Sequence, residues 1–296
     1  MPYKDAVVRF LVLSDTHDNA YPDPYAIPPA DVVLHCGDLT NMGGMSNYEN
    51  AIHCLSEFDA ELKLVIPGNH DIALDPSRKQ FKNQDEHVDE EYFHGFRNAL
   101  DMFKGYEKHT GIRLLAEGTH HFTLRDGRFF SVYASPYIPG DRRMAFRYEY
   151  EEDRFNPGTK KGNPIPEGVD IVMTHGPPLV PHRGYDLDVY DSGHHGCVKL
   201  WNAVQRTRPL LHCFGHVHDA YGAQRLSWNN EKWTDGIWSD NTTDTFTLAD
   251  VPLPDIGFLV ADPMQTLLVN AALKTHDPMM NDNAPILVDI ECRYME

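Results

Sequence analysis

The sequence predicts an α/β layered fold, on three observations. Short apolar runs rich in β-branched residues recur along the chain. Each stops abruptly at a turn made of Gly, Asp, Asn, His or Pro. Segments with helical spacing lie between the runs, so strands and helices alternate as a layered fold requires. A central sheet flanked by helices follows, and ligands of such sheets bind outside the carboxyl ends of the strands.

Taken in order, the run 7–13 ends at Ser14-Asp15-Thr16-His17, and the run 32–36 ends at Gly37-Asp38. Helical spacing over 48–58 precedes the run 62–66, which ends at Pro67-Gly68-Asn69-His70-Asp71. A second helical segment covers 91–103, and a strand covers 129–134. The run 169–173 leads into Thr174-His175-Gly176-Pro177-Pro178. A helix over 198–207 is followed by the run 210–214 and Gly215-His216-Val217-His218. Residues 285–292 read as one more strand closing a sheet. Two regions, 140–168 and 223–266, hold no sustained period; they are expected to be insertions near the mouth of the site, within one domain spanning 1–296.

Composition narrows the function. With 44 acidic against 26 basic residues and a net charge of −18, the chain repels polyanions, so long nucleic acid is not an expected partner. No stretch of about 18 apolar residues occurs, and the first residues lack a basic segment leading into an apolar one. No membrane association is therefore expected, and the expected location is cytoplasmic. The five cysteines are odd in number and form no CxxC pair, which suggests neither a disulfide framework nor a zinc knuckle. Seventeen histidines alongside Asp clusters direct attention to metals.

The turns at the strand ends hold Asp15, His17, Asp38, Asn69, His175, His216 and His218. Oxygen donors mixed with imidazoles suit two borderline divalent ions, drawn from Mn, Fe, Zn, Ni and Co, and fit Ca or an all-thiolate zinc site poorly. Two ions about 3.5–4 Å apart need roughly seven protein ligands and a carboxylate able to bridge.

The ordered series D-x-H, G-D, G-N-H-D, T-H-G-P-P and G-H-x-H resembles the signature of the calcineurin-like metallophosphoesterases. Any one of these motifs is weak; all five, in order and each at the end of an apolar strand, are specific. The resemblance implies two packed mixed β-sheets flanked by helices, a four-layer sandwich. It implies one metal on Asp15, His17, Asp38 and His218, and another on Asp38, Asn69, His175 and His216, with Asp38 as the bridge. His70 matches the family's non-ligand histidine, which contacts the phosphoryl oxygen or protonates the leaving group, and Asp71 would orient its ring. A metal-bridging hydroxide attacks phosphorus in that scheme. The stretch 174–222 is similar to the metallophosphoesterase-domain proteins expressed in vertebrate brain and their microbial and fungal relatives. This implies phosphodiesterase activity on a small substrate such as a cyclic nucleotide. The vertebrate members carry Gly where this chain has His216, so a more complete second site is expected here.

Further candidates are less specific. Arg142, Arg143 and Arg147 form a basic patch suited to phosphate, or else pair with the nearby acidic residues 149–153. His194 and His195 read as a turn leading into a helix, and His35, His212, His120 and His121 as packing or surface histidines. Two other functional classes stay open: a non-hydrolytic dinuclear enzyme using iron and oxygen on the same ligands, and a non-catalytic scaffold.

Overall fold

The computed structural model describes residues 6–76, 89–140, 144–228, 247–250, 258–275 and 282–294. The first half of the chain contains β1 (Ala6–Leu13), β2 (Val32–His35), α1 (Met45–Ser56), β3 (Leu62–Val65), α2 (Asp89–Thr110), β4 (Ile112–Leu114), β5 (Gly118–Thr123) and β6 (Arg128–Ser135). Two-residue ladders β7 (Ile138–Pro139) and β8 (Arg147–Tyr148) follow, then β9 (Ile171–Thr174), β10 (Val189–Tyr190) and β11 (Gly193–His194). The chain continues through α3 (Val198–Thr207), β12 (Leu211–Phe214), β13 (Gly222–Ser227), β14 (Thr247–Asp250), β15 (Phe258–Val260), β16 (Gln265–Asn270) and β17 (Ile286–Tyr294).

The strands divide into two mixed sheets. One runs β15-β17-β1-β2-β3-β4, with β1 to β4 mutually parallel. The other runs β14-β13-β16-β12-β9-β6-β5, with β6, β9, β12 and β16 parallel. Strand β17 joins them: Ile286 to Cys292 pair with β1, and Arg293 and Tyr294 then pair with β6.

Three apolar layers hold this arrangement. Val8, Phe10 and Val12 of β1 face Phe130, Val132 and Ile171 across the space between the sheets, and the Phe10 and Phe130 rings meet edge to face at 5.1 Å. Leu11 and Leu13, on the opposite face of β1, pack with Tyr48, Ile52 and Leu55 of α1 and Phe103 of α2. Both faces of β1 are thus covered, which is why its sequence is a nearly continuous apolar run rather than an alternating one. On the far side, Leu200, Trp201 and Val204 of α3 cover Val172, Phe214 and Leu268. Their spacing places them on one helical stripe, and each large side chain so buried contributes about 1.5–3 kcal/mol. Helix, sheet, sheet and helix give the four layers the family resemblance implied.

The parallel strands of both sheets point their carboxyl ends to one edge. There Ser14 bridges to Ala272, the Leu273 N–H donates to the Ser14 carbonyl, and the two sheets are drawn together. Segment 223–266 begins and ends on sheet strands, β13 and β16, which pair antiparallel; its residues 229–246 and 251–257 lie outside the described residues. In segment 140–168 the chain folds inward, burying Ala145, Phe146, Tyr148, Phe155 and Ile165. Among the described residues no helix is long and apolar enough to cross a membrane.

Candidate metal centre

The loops that follow β1, β2, β3, β9 and β12 converge at the shared edge, and their backbones are unusual. Asp15, His17, Asp38 and His216 all have positive φ, at 54°, 42°, 53° and 69°. Residues with a Cβ rarely adopt this region, and such strain persists only where surrounding bonds over-determine it. Here the Asp15 N–H donates to the Gly37 carbonyl, the His17 N–H to the Asp38 carbonyl, and the Gly215 N–H to the His175 carbonyl. The glycines beside the candidate ligands are required by close approach. A Cβ on Gly68 would run into the Asp38 carboxylate, and one on Gly215 into Asp15 and Ser14.

The side chains assemble into two groups. Donor atoms of Asp15, His17 and His218 lie within 4.8 Å of one another, and so do those of Asp38, His175 and His216. Each carboxylate is held the same way. Asp15 Oδ2 accepts the His216 N–H at 2.9 Å while its Oδ1 faces His218 Nε2 at 3.2 Å. Asp38 Oδ1 accepts the His70 N–H at 2.8 Å. Its Oδ2 lies 3.6 Å from His17 Nε2 in one group and 3.4 Å from His175 Nε2 in the other. Asp38 therefore stands where a bridging ligand would. Asn69 joins the second group, its Oδ1 2.9 Å from His175 Nε2. The His175 Nδ1–H donates to the Cys36 carbonyl at 2.9 Å, which leaves Nε2 facing the carboxylate.

Behind the groups two buried histidines act alike. His35 Nδ1 accepts the Gly37 N–H, so its Nε2–H donates to Thr16 Oγ at 3.0 Å, and Thr16 lies between Asp15 and His17. Across the seam, Thr174 Oγ donates to the Gly176 carbonyl and accepts from His212 Nε2–H at 2.9 Å, and Thr174 precedes His175. The expectation of simple packing histidines is incomplete: each braces a loop that carries candidate ligands. Sequence spacing gives no sign of it, because each histidine reaches its threonine from the neighbouring strand.

Electrostatics follow from burial. Burial alone would raise the Asp15 carboxyl, but the hydrogen bond from His218 and the charges of His175, His218 and His17 outweigh it and hold it well below the usual range. Asp38 is likewise held to about 2, its burial overcome chiefly by His175. His175 is raised to about 9 because Asp38 overcomes its burial, whereas His216 falls to about 3 through burial and the charges of His175 and Arg147.

His70 and Asp71 correct one expectation. The Asp71 carboxylate accepts from the backbone N–H groups of Leu39, Thr40 and Gly68 and from the Thr40 hydroxyl. It ties the Asp38 loop to the Asn69 loop and does not orient the His70 ring. The Asn41 carbonyl does that, 2.6 Å from His70 Nδ1. Burial, then the charge of Asp38, raises the Asp71 carboxyl to about 7.

Arg147 sits close to the centre: it donates from Nη1 to the Pro139 carbonyl at 2.9 Å and lines a cavity with His216. Arg142 and Arg143 lie outside the described residues. His194 bonds Asp188 rather than either group, while His120 and His121 stack on Phe122 and Phe129 along β5 and β6.

The donor set fits two divalent cations. Two buried carboxylates and an amide oxygen converge with imidazole nitrogens, and His17 Nε2 approaches His218 Nε2 to 3.2 Å. Such crowding of nitrogen and oxygen donors suits borderline metals. Asp15, His17, Asp38 and His218 would hold one, and Asp38, Asn69, His175 and His216 the other.

Residues 8–220 match the family described as calcineurin-like phosphoesterase. Over 231 residues the chain is 34% identical to metallophosphoesterase domain-containing protein 1 of Homo sapiens, covering 75% of this chain and 64% of that protein. The chain thus spans less than two thirds of that relative's length. A UPF0046 protein of Caenorhabditis elegans is 31% identical over 232 residues, covering 75% of this chain and 72% of its own. Among solved structures, a purple acid phosphatase from yellow lupin seeds aligns with a TM-score of 0.46 and 12% identity, covering 98% of this chain and 55% of that one.

Proposed function

The chain belongs to the calcineurin-like phosphoesterase family, and from that premise we propose that it is a metal-dependent phosphodiesterase acting on a small phosphorylated substrate such as a cyclic nucleotide. The observation that carries the reading is the pair of donor groups meeting at Asp38, whose Oδ2 faces one imidazole from each group. When bound there, two divalent cations supply Lewis-acid stabilisation of phosphoryl oxygens and an acidified water as nucleophile.

The chain's own residues supply the rest. The Asn41 carbonyl fixes the His70 ring through Nδ1–H, so Nε2 is the atom from which a proton passes to the departing oxygen. Its ring stands 4.9 Å from that of His17, beside the first donor group. We assign Arg147, which lines a cavity with His216, to a phosphoryl oxygen on the second group's side. A net charge of −18 favours small anions over long polyanions. All five cysteines are free, which accords with a cytoplasmic setting.

Chelator-treated protein with Mn added back should hydrolyse bis-p-nitrophenyl phosphate, and His70→Ala should reduce kcat by about 100-fold or more while retaining metal. Absence of turnover in protein shown by metal analysis to hold two ions would overturn the hydrolytic reading.

A further inference from the structure

Beside the second donor group lies a cavity of about 160 Å³, and of the candidate metal ligands only His216 lines it. Its lining also includes Tyr137, Arg147, Tyr150, Pro177 and His194. The volume is small beside that of drug-sized pockets, so it admits one ring-sized group. Tyr137 is a rigid wall: the Arg154 guanidinium lies 3.7 Å over its ring and Phe146 meets its edge. Tyr150 stands at the exposed rim.

His194 is built into this wall. Its Nδ1–H donates to Asp188 Oδ1 at 2.6 Å, and Asp188 is fully buried, with Oδ2 accepting the Gly196 N–H at 3.0 Å. A buried carboxylate committed in this way fixes the ring's orientation and occupies its Nδ1, as partners of working histidines do. Nε2 is then the atom left for a ligand. It accepts from an amino or hydroxyl group, and donates when the ring is protonated.

We propose that this cavity is a recognition subsite for the organic group esterified to phosphorus, taking a planar heterocycle such as a nucleobase, with His194 hydrogen-bonding its polar edge. The inference rests on the phosphoesterase reading for the placement of phosphate at the donor groups. His194 is the specificity determinant and Asp188 its positioning residue.

The test is calorimetric binding of adenosine 5′-monophosphate and of methyl phosphate to Mn-loaded protein. The ratio of their Kd values isolates the ring's contribution. The wild type should favour the nucleotide at least tenfold; His194→Ala should cut that ratio about tenfold, and His194→Gln, which still hydrogen-bonds, should restore most of it. A wild-type ratio near one, or a ratio unchanged by His194→Ala in folded protein, would overturn the subsite. Turnover of bis-p-nitrophenyl phosphate is scored separately: its absence with the binding ratio intact removes the hydrolytic reading and keeps the subsite, and the reverse removes the subsite alone.

Discussion

Asp38 is the residue on which most depends, because one of its oxygens holds the His70 backbone and the other faces imidazoles of both groups. Asp38→Ala is expected to lose both cations and all activity, measured by metal analysis of the purified variant; two retained ions would contradict its bridging position. The buried histidines give a pH dependence of definite sign. His212 is depressed by burial from 6.5 to about 3. Above pH 6.5 both folded and unfolded states are neutral there and stability is unaffected. As pH falls through 6.5 the unfolded chain takes a proton that the folded one refuses, so stability is lost progressively toward pH 3. At pH 5 that loss is on the order of 2 kcal/mol. Chemical denaturation of chelator-treated protein should show a shallower loss between pH 7 and 5 in His212→Asn than in the wild type. Equal slopes would mean that His212 does not titrate in this way.

What the sequence made legible at this scale was whatever sits at a strand's end in a fixed motif, and all seven candidate ligands do. The roles of Asp71, His35, His212 and Asp188 were hidden, because each acts on a residue brought near only by pairing of strands or packing of loops. Asp71 is the instructive case: adjacency to His70 suggested a partner, yet its carboxylate turns to three backbone N–H groups and a hydroxyl instead.

At the level of elements, the strands that stop at punctuated turns were readable, and so were α1, α2 and α3. Strands β13, β14 and β15 were not, because they lie within a region whose charge, Asn and Trp content masks their alternation, and β16 begins only at its end. Asn270, at the end of β16, matters to the site's side of the molecule: it donates to the carbonyls of Leu187 and Val217 and so ties the loop after β12 to the loop before β10. Close approach of loops makes a sharp prediction here. Gly215→Ala places a methyl against Asp15 and Ser14. It should cost roughly 1–3 kcal/mol and lower metal affinity. Denaturant midpoints together with Mn titration check both, and a variant of wild-type stability and affinity would show that the loops yield. Helix α3 depends on its own packing: Trp201 stacks on Trp228 at 6.0 Å and both are buried. Trp201→Ala should cost about 3–5 kcal/mol in the same denaturation assay.

For the whole molecule, the charge of −18 sets how the substrate of the proposed function arrives. A small anion approaches against the global field, so screening should raise kcat/KM for an anionic diester as ionic strength climbs from about 0.01 to 0.15 M. A fall over that range would mean that local positive charge at the centre dominates steering.

Each donor group takes side chains from both sheets: Asp15 and His17 from one with His218 from the other, and Asp38 from one with His175 and His216 from the other. A cation held by either group is thus a staple across the seam, and the energy that fastens it is shared with the fold. At a free metal concentration 100 times its Kd, each staple adds about 2.7 kcal/mol to the folded state. The protein's persistence then follows the metal supply around it, and scarcity loosens the architecture as well as emptying the centre.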